Sequence, residues 1–378
     1  MKFIFYIGAF NAIFFSTLLL KKKAKALHDK VLVYWLIYLG LFIGIYSIYS
    51  HGLFINFHLL SVSFISLFLV HGAFLYIYTS TLIADYKAFN RKLLIHLIPF
   101  ILFNFYILVS SFFPSISESI TMENVHSDRE TPFLFNFFLV LTALSGPFYF
   151  ALTLKLLKAH DINIFNNFSN AENINLEWLR KLVYVFGIIW TALIIITVIH
   201  HIFNYFSMVF CTDSLFISLS VFVLLIGYFG LMQKVIYGDD YNPSDNRIIE
   251  SKSKYYGSRL MKSEADGYTE RLNNLMESSQ PYLNPELSLQ QLAADIEITP
   301  HYLSQVINEK FQSNFFNYIN KYRVEEVKSR LVDPKYDHYT LLGIAFDSGF
   351  NSKSAFNRIF KGFTNLTPTQ YRNSLRNR

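Results

Sequence analysis

Seven charge-poor apolar stretches occupy most of the first 233 residues, and after Lys234 they give way to short helical periods with polar faces between them. Charged residues are absent from 31 to 84, 93 to 117, 131 to 154, 182 to 212 and 214 to 233. About 20 apolar residues cross a bilayer as a helix, so the gap from 31 to 84 predicts two spans. The whole half predicts seven, at roughly 3–20, 31–50, 61–82, 93–113, 133–154, 183–203 and 214–233. Helices are required because backbone amides in lipid must be satisfied within the segment. The first run does not read as a cleaved signal peptide, because its basic cluster follows the apolar stretch instead of preceding it.

The connections between these runs alternate in charge. Lys21, Lys22, Lys23, Lys25 and Lys30 follow the first span. Lys87, Arg91 and Lys92 follow the third, and Lys155, Lys158, Arg180 and Lys181 follow the fifth. The loop from 114 to 132 instead carries Glu118, Glu123, Asp128 and Glu130 against Arg129, and the second and sixth connections lack Lys and Arg. Basic loops stay on the cytoplasmic side, which predicts an N-terminus outside and a C-terminus in the cytoplasm. Composition supports the division: the chain is 52% hydrophobic and only 16% charged, against roughly 25% charged residues in an average soluble domain. Its net charge of +6 suits nucleic acid or anionic lipid and does not separate them.

Residues 237–265, opening Gly238-Asp239-Asp240-Tyr241-Asn242-Pro243, carry turn formers and mixed charge and read as a linker. They divide a membrane domain, 1–236, from a helical domain, 266–378. There a helix is predicted from about Asp266 to Ser278, ended by Pro281. A short helix, a turn and a second helix follow over about 287–309, with Thr299 as N-cap and Pro300 at the first helical position. Leu303, Val306 and Ile307 share its buried face, leaving His301, Ser304, Gln305 and Asn308 outward. The scheme recurs over about 340–362: Ala345 answers Ala293, Asp347 answers Asp295, and Phe350 answers Ile298. Gly349 supplies the turn backbone and Asn351 is the expected N-cap. Phe356, Ile359 and Phe360 point inward, while Ser352, Lys353, Ser354, Asn357, Arg358 and Lys361 offer donors to base edges or phosphates. A continuous helix from about 315 to 331 separates the two. At 1.5 Å per residue it spans about 25 Å, a spacer able to hold two recognition helices near the roughly 34 Å repeat of successive major-groove faces.

These residues carry a resemblance. The segment from about 266 to 376 resembles the AraC/XylS-type DNA-binding domain through Tyr302-Leu303-Ser304, Tyr322-Arg323-Val324, Ile344-Ala345-Phe346-Asp347-Ser348-Gly349-Phe350, Phe356-Asn357-Arg358-Ile359-Phe360-Lys361 and Thr367-Pro368-Thr369-Gln370-Tyr371-Arg372. The layout is similar to membrane-embedded bacterial regulators of that family. The resemblance implies an all-α fold, a seven-helix transmembrane bundle followed by two helix-turn-helix subdomains joined by a long helix. It also implies that His301, Ser304 and Gln305 enter one groove and Ser352, Lys353, Ser354, Asn357 and Arg358 the next. Two positions depart from the family pattern, Gln312 and Asn365, where glycine is usual. Asn tolerates a left-handed backbone, so Asn365 preserves its turn, whereas Gln312 is expected to shift the helix end.

Other features carry less. His51, His58, His71, His96, His200 and His201 lack ligand spacing and read as helix-packing residues, as do Asn11, Asn104 and Asn136. Arg323 reads as a partner of Glu325, Glu326 or a backbone group in preference to a base reader. The single cysteine, Cys211, excludes an internal disulfide. No catalytic signature or cofactor motif is present, so neither an enzyme nor a bound cofactor or metal is expected. The expected function is a one-component membrane receptor and transcription regulator. Its expected partners are promoter DNA, the lipid bilayer and a small-molecule or membrane signal, with a homodimer and, for an activator, RNA polymerase compatible with it. Two alternatives remain: a transporter or membrane enzyme with an autoregulatory DNA-binding appendage, and a membrane-tethered regulator released by proteolysis.

Overall fold

The computed structural model of the chain describes residues 2–23, 25–49, 63–83, 90–120, 131–172, 174–203, 205, 208–233 and 262–376. Most of the expected linker, residues 121–130, Lys87, His51 and His58, and the side chains of His200, His201 and Cys211 lie outside the described residues. The described chain is helical and contains no strand, in keeping with the all-α expectation.

Seven of its helices are long and apolar enough to cross a membrane, covering Phe3–Lys21, Leu27–Ile48, Ser63–Ile83, Arg91–Ser110, Phe133–Asn167, Glu177–Ile196 and Thr212–Met232. In this half the helices are α1 (Lys2–Lys21), α2 (Leu27–Tyr49), α3 (Phe68–Ile83), α4 (Ile98–Ser110, entered through a 3-10 turn), α5 (Pro114–Ser119), α6 (Phe133–Asn167), α7 (Glu177–Phe203) and α8 (Met208–Met232). Several ends differ from the sequence reading, among them the starts of α7 at Glu177 and α8 at Met208. Helix α2 opens at Leu27 and takes in Asp29, and α6 continues past 154 to Asn167. Charge ends an apolar run but not a helix: Lys155, Leu156, Leu157, Lys158 and Ala159 are all good helix formers. At 35 residues, α6 is about 52 Å long, well beyond the roughly 30 Å of a hydrocarbon core.

The residues divide into two compact units, Met1–Lys158 with Leu176–Tyr241, and Ala159–Asn175 with Asn242–Arg378. In the first, α1 packs along α2 and α8, and α2 along α3 and α8. Small residues permit the approach: a Cβ on Gly8 would lie 2.3 Å from Ser220 Oγ, and one on Gly40 would lie 3.1 Å from Ala12 Cβ. Trp35, Phe42, Phe216 and Phe222 fill the interior. At one end of this unit Lys22 Nζ donates to Asp29 Oδ1 at 2.8 Å and to the Gln233 carbonyl at 3.2 Å, and Trp178 Nε1 donates to Gln233 Oε1 at 2.9 Å. Outward it presents apolar side chains, among them Phe3, Phe10, Phe105, Phe112 and Phe133. A surface of that kind is costly in water and costs little in hydrocarbon.

The second unit holds α9 (Lys262–Ser278), α10 (Leu289–Asp295), α11 (Pro300–Phe311), α12 (Phe315–Val332), α13 (Leu341–Asp347), α14 (Lys353–Thr364) and α15 (Pro368–Arg376). It has two cores. Leu272, Met276, Leu292, Leu303 and Ile307 gather around Phe315, Tyr318 and Ile319 of α12. Ile344, Phe350, Phe356 and Phe360 gather around Phe316, Val324 and Val327 of the same helix. Helix α12 is therefore buried along two faces, and both helix pairs take their position from it. Ile164, near the end of α6, and Ala171, between α6 and α7, complete the second core.

Candidate nucleic-acid interface

The two helix pairs repeat one another in detail. Ser288 caps α10 through a reciprocal box with Gln291, and Thr340 caps α13 by accepting from Gly343 N–H at 3.0 Å. After each short helix the chain turns through a left-handed residue, Glu297 at φ 57° and Gly349 at φ 91°. The next amide then folds back: Ile298 N–H donates to the Ala293 carbonyl at 3.0 Å, and Phe350 N–H to the Ala345 carbonyl at 3.1 Å. Ala293 and Ala345, which accept these bonds, are both fully buried. Thr299 then caps α11, with Pro300 in its first turn. In the second pair the cap is Ser352, whose Oγ accepts from Ala355 N–H at 3.2 Å, and not Asn351. The second turn is one residue longer, which moves the capping position along by one.

The second recognition helix, α14, exposes Lys353, Ser354, Asn357, Arg358 and Lys361 as a single polar face opposite Phe356, Ile359 and Phe360. Ser352 is half-buried, its hydroxyl engaged as the cap. The first, α11, differs from expectation. His301 and Asn308 are exposed, but Ser304 and Gln305 are each only 4% exposed. The reason is angular. At 100° per residue Ser304 stands roughly 60° from Ile307, and Gln305 roughly 60° from Tyr302, so both lie at the borders of the polar stripe. Tyr302 is itself covered by Tyr268 of α9, and Lys310 is paired with Asp266 of α9. The two border side chains are engaged along their own helix: Asn308 Nδ2 donates to Ser304 Oγ at 3.4 Å, and Gln305 Nε2 to Glu309 Oε1 at 3.0 Å.

The departures at the helix ends also resolve. Asn365 takes φ 60° and Gln312 takes φ 49°. Gln312 therefore ends α11 in the left-handed conformation that glycine ordinarily supplies, with its Nε2 donating to the Glu309 carbonyl at 3.0 Å. Helix α9 begins at Lys262, four residues ahead of the expected Asp266.

Arg323 lies inside the unit at 2% exposure. Its guanidinium donates to the carbonyls of Tyr282 at 2.7 Å, Asn284 at 2.7 Å and Ser169 at 3.1 Å, to Ser169 Oγ at 2.9 Å and to Asn320 Oδ1 at 3.4 Å. Three backbone carbonyls and two neutral side chains, and not Glu325 or Glu326, are its partners. Glu325 pairs with Lys328 and Glu326 with Arg330. Burial lowers the Arg323 pKa to about 10 while Glu286 draws it back up, so the group stays charged at neutral pH. A Cβ on Gly349 would stand 2.3 Å from the Tyr282 carbonyl and 2.9 Å from Arg323 Nε. One arginine thus ties the approach to the first helix pair, the spacer helix and the second turn into a single packed knot. Between the helix pairs a cleft of about 790 Å³ is bordered by Phe316, Lys321 and Tyr322 of α12 and by Arg358 and Phe363 of α14.

The tandem helix pairs match known proteins. A family described as a helix-turn-helix domain matches residues 292–374. An uncharacterized HTH-type transcriptional regulator of Staphylococcus aureus (strain COL) is 31% identical over 103 residues, 27% of this chain and 13% of that protein. Another from Staphylococcus aureus (strain N315) has the same identity over the same length and shares. The match thus spans only 13% of the length of these curated relatives. No solved structure matches the chain. The matched region lies wholly within the second unit and contains both recognition helices. With its paired turns, capped recognition helices and shared spacer, the C-terminal part of this chain is a helix-turn-helix domain of the AraC type.

Proposed function

We propose that the chain is a membrane-bound one-component transcription regulator: a seven-span bundle, 1–236, receives a signal and a cytoplasmic reader, 266–378, binds promoter DNA. What carries this reading is the presence, in one chain, of seven span-length apolar helices and an AraC-type helix-turn-helix domain. Lys and Arg cluster in alternate connections, which supports an N-terminus outside and a reader on the cytoplasmic side. The signal shifts a two-state bundle, and the shift reaches the reader through the chain that joins them.

On DNA, α14 supplies the larger contribution. Its exposed Lys353, Arg358 and Lys361 offer positive charge, and Ser354 and Asn357 offer donors of the kind that read base edges. Helix α11 presents His301 and Asn308, with Ser304 and Gln305 at its borders, so it reads shape and hydrogen-bonding pattern with little charge. The test is genome-wide mapping of the tagged full-length chain in cells. Enrichment at discrete promoters is expected, and a signal spread evenly over the chromosome would refute sequence-specific regulation. A membrane-impermeant thiol reagent applied to sealed cells checks the sidedness: cysteines introduced beyond Tyr241 should remain unmodified.

A further inference from the structure

The chain enters the reader unit twice, once through the linker and once through the end of α6 with the stretch that leads to α7. The second entrance is built into the fold. Ser169, 1% exposed, donates its amide to the Leu287 carbonyl at 3.2 Å and its hydroxyl to the same oxygen at 2.7 Å. Its own carbonyl accepts from Asn320 Nδ2 at 3.0 Å and from Arg323. Phe168 forms an isolated antiparallel bridge with Ser288, the residue that caps α10. Ile164 and Ala171 are buried in the second core, and the Phe165 ring meets Phe316 edge-on at 5.1 Å. Paired polar groups at this density around Ser169, with apolar anchors on both sides, mark a fitted interface, not a passing loop. At its far end Glu172 Oε1 accepts from Ser354 Oγ at 2.9 Å, and Ser354 belongs to the exposed polar face of α14.

From this placement we propose that the segment Ile164–Glu172 is an internal docking element that restrains the reader, with the Glu172 carboxylate occupying the edge of α14 in competition with DNA phosphate. The proposal rests on the DNA-binding reading above and adds its regulation. Ser169 and the apolar anchors hold the segment in place. Glu172 covers one donor of the reading face and sets a negative charge where the polyanion would approach Lys353. Segment and chain are continuous with α6 and α7, so a rearrangement of those helices is able to draw Glu172 away and release Ser354. The occupant of this surface is thereby named: it is the protein's own chain, in exchange for a nucleic-acid backbone.

The experiment uses the full-length protein in lipid nanodiscs and a 30-base-pair duplex of mixed sequence as probe, because phosphate contacts do not depend on sequence. Glu172→Gln keeps an acceptor for Ser354 but removes the charge. It should tighten duplex binding by roughly three- to tenfold at low salt, with the difference closing as salt screens it. In a second protein, Glu172→Cys and Ser354→Cys on a Cys211→Ser background are bridged by a reversible bis-thiosulfonate reagent. The bridged form should lose at least about tenfold in affinity relative to the same protein after reduction. Equal affinity of Glu172→Gln and the unsubstituted protein, or of the bridged and reduced forms, overturns the proposal. Absence of duplex binding by every form overturns the DNA-binding reading itself, whereas binding by Glu172→Gln alone supports both.

Discussion

Two turn residues show how local backbone chemistry is distributed over the repeat. Gly349 and Glu297 occupy the same left-handed position in their respective turns, at φ 91° and 57°, yet only one is glycine. At Gly349 the side chain is excluded twice, by the dihedral and by the Tyr282 carbonyl 2.3 Å from where a Cβ would stand. Gly349→Ala should cost more than about 2 kcal/mol, visible as faster hydrogen exchange of the α12 and α14 amides in the full-length protein. Glu297 is exposed, so its strain is the dihedral alone. Glu297→Gly should therefore stabilise the first pair by up to about 1 kcal/mol, since a left-handed L-residue costs 1–2 kcal/mol and glycine returns part of that as chain entropy. A slower exchange of the α10 and α11 amides checks it; an unchanged or faster rate would place the strain elsewhere. Gln312 makes the same point in reverse. It accepts the left-handed conformation at φ 49° and closes α11 with its own side chain, an accommodation that propensity alone does not anticipate.

At the scale of the element, α12 decides how the two readers are held. An 18-residue helix with apolar residues on two sides has no single hydrophobic stripe, and its periodicity on paper shows only that it is a helix. Arg323 fixes what lies at its middle. Replacement by Met keeps the volume but leaves the Tyr282, Asn284 and Ser169 carbonyls without their donor. At 1–3 kcal/mol for each buried group left unsatisfied, Arg323→Met should destabilise the unit by about 3 kcal/mol or more. The midpoint of thermal unfolding in detergent is the measurement, and a shift of under one or two degrees would show that water replaces the guanidinium without loss. The helix α6 illustrates a different lesson. Lys155, Lys158 and Asp161 close the apolar run, but helical hydrogen bonding ignores side-chain charge, and the element continues to Asn167.

For the molecule as a whole, charge is divided by position more than by amount. Lys310 of the first recognition helix is paired with Asp266, while Lys353, Arg358 and Lys361 of the second stand exposed. Duplex affinity should fall steeply with salt, and Lys353→Ala should reduce the slope of log affinity against log salt by about one while weakening all sequences alike. Arg358 borders the cleft between the readers. If it reads a base, Arg358→Ala should cost about 1–3 kcal/mol on the cognate promoter and relax preference at one position; a uniform loss on every duplex would assign it to phosphate. Much of this architecture is legible in the order of residues. Span-length runs without charge follow from the thickness of a bilayer, and caps, turns and inward faces follow from helical geometry, so the seven spans, both helix pairs and the polar face of α14 were readable one segment at a time. What no linear pattern carries is which distant segments meet. That Ser304 and Gln305 sit at covered borders depends on where neighbouring side chains fall around α11. The meeting of Ser169 with Arg323, 154 positions apart, and of Glu172 with Ser354, 182 apart, depends on the tertiary fold alone. Such contacts are made by single side chains satisfying one another across a packed core, and they leave no period behind them.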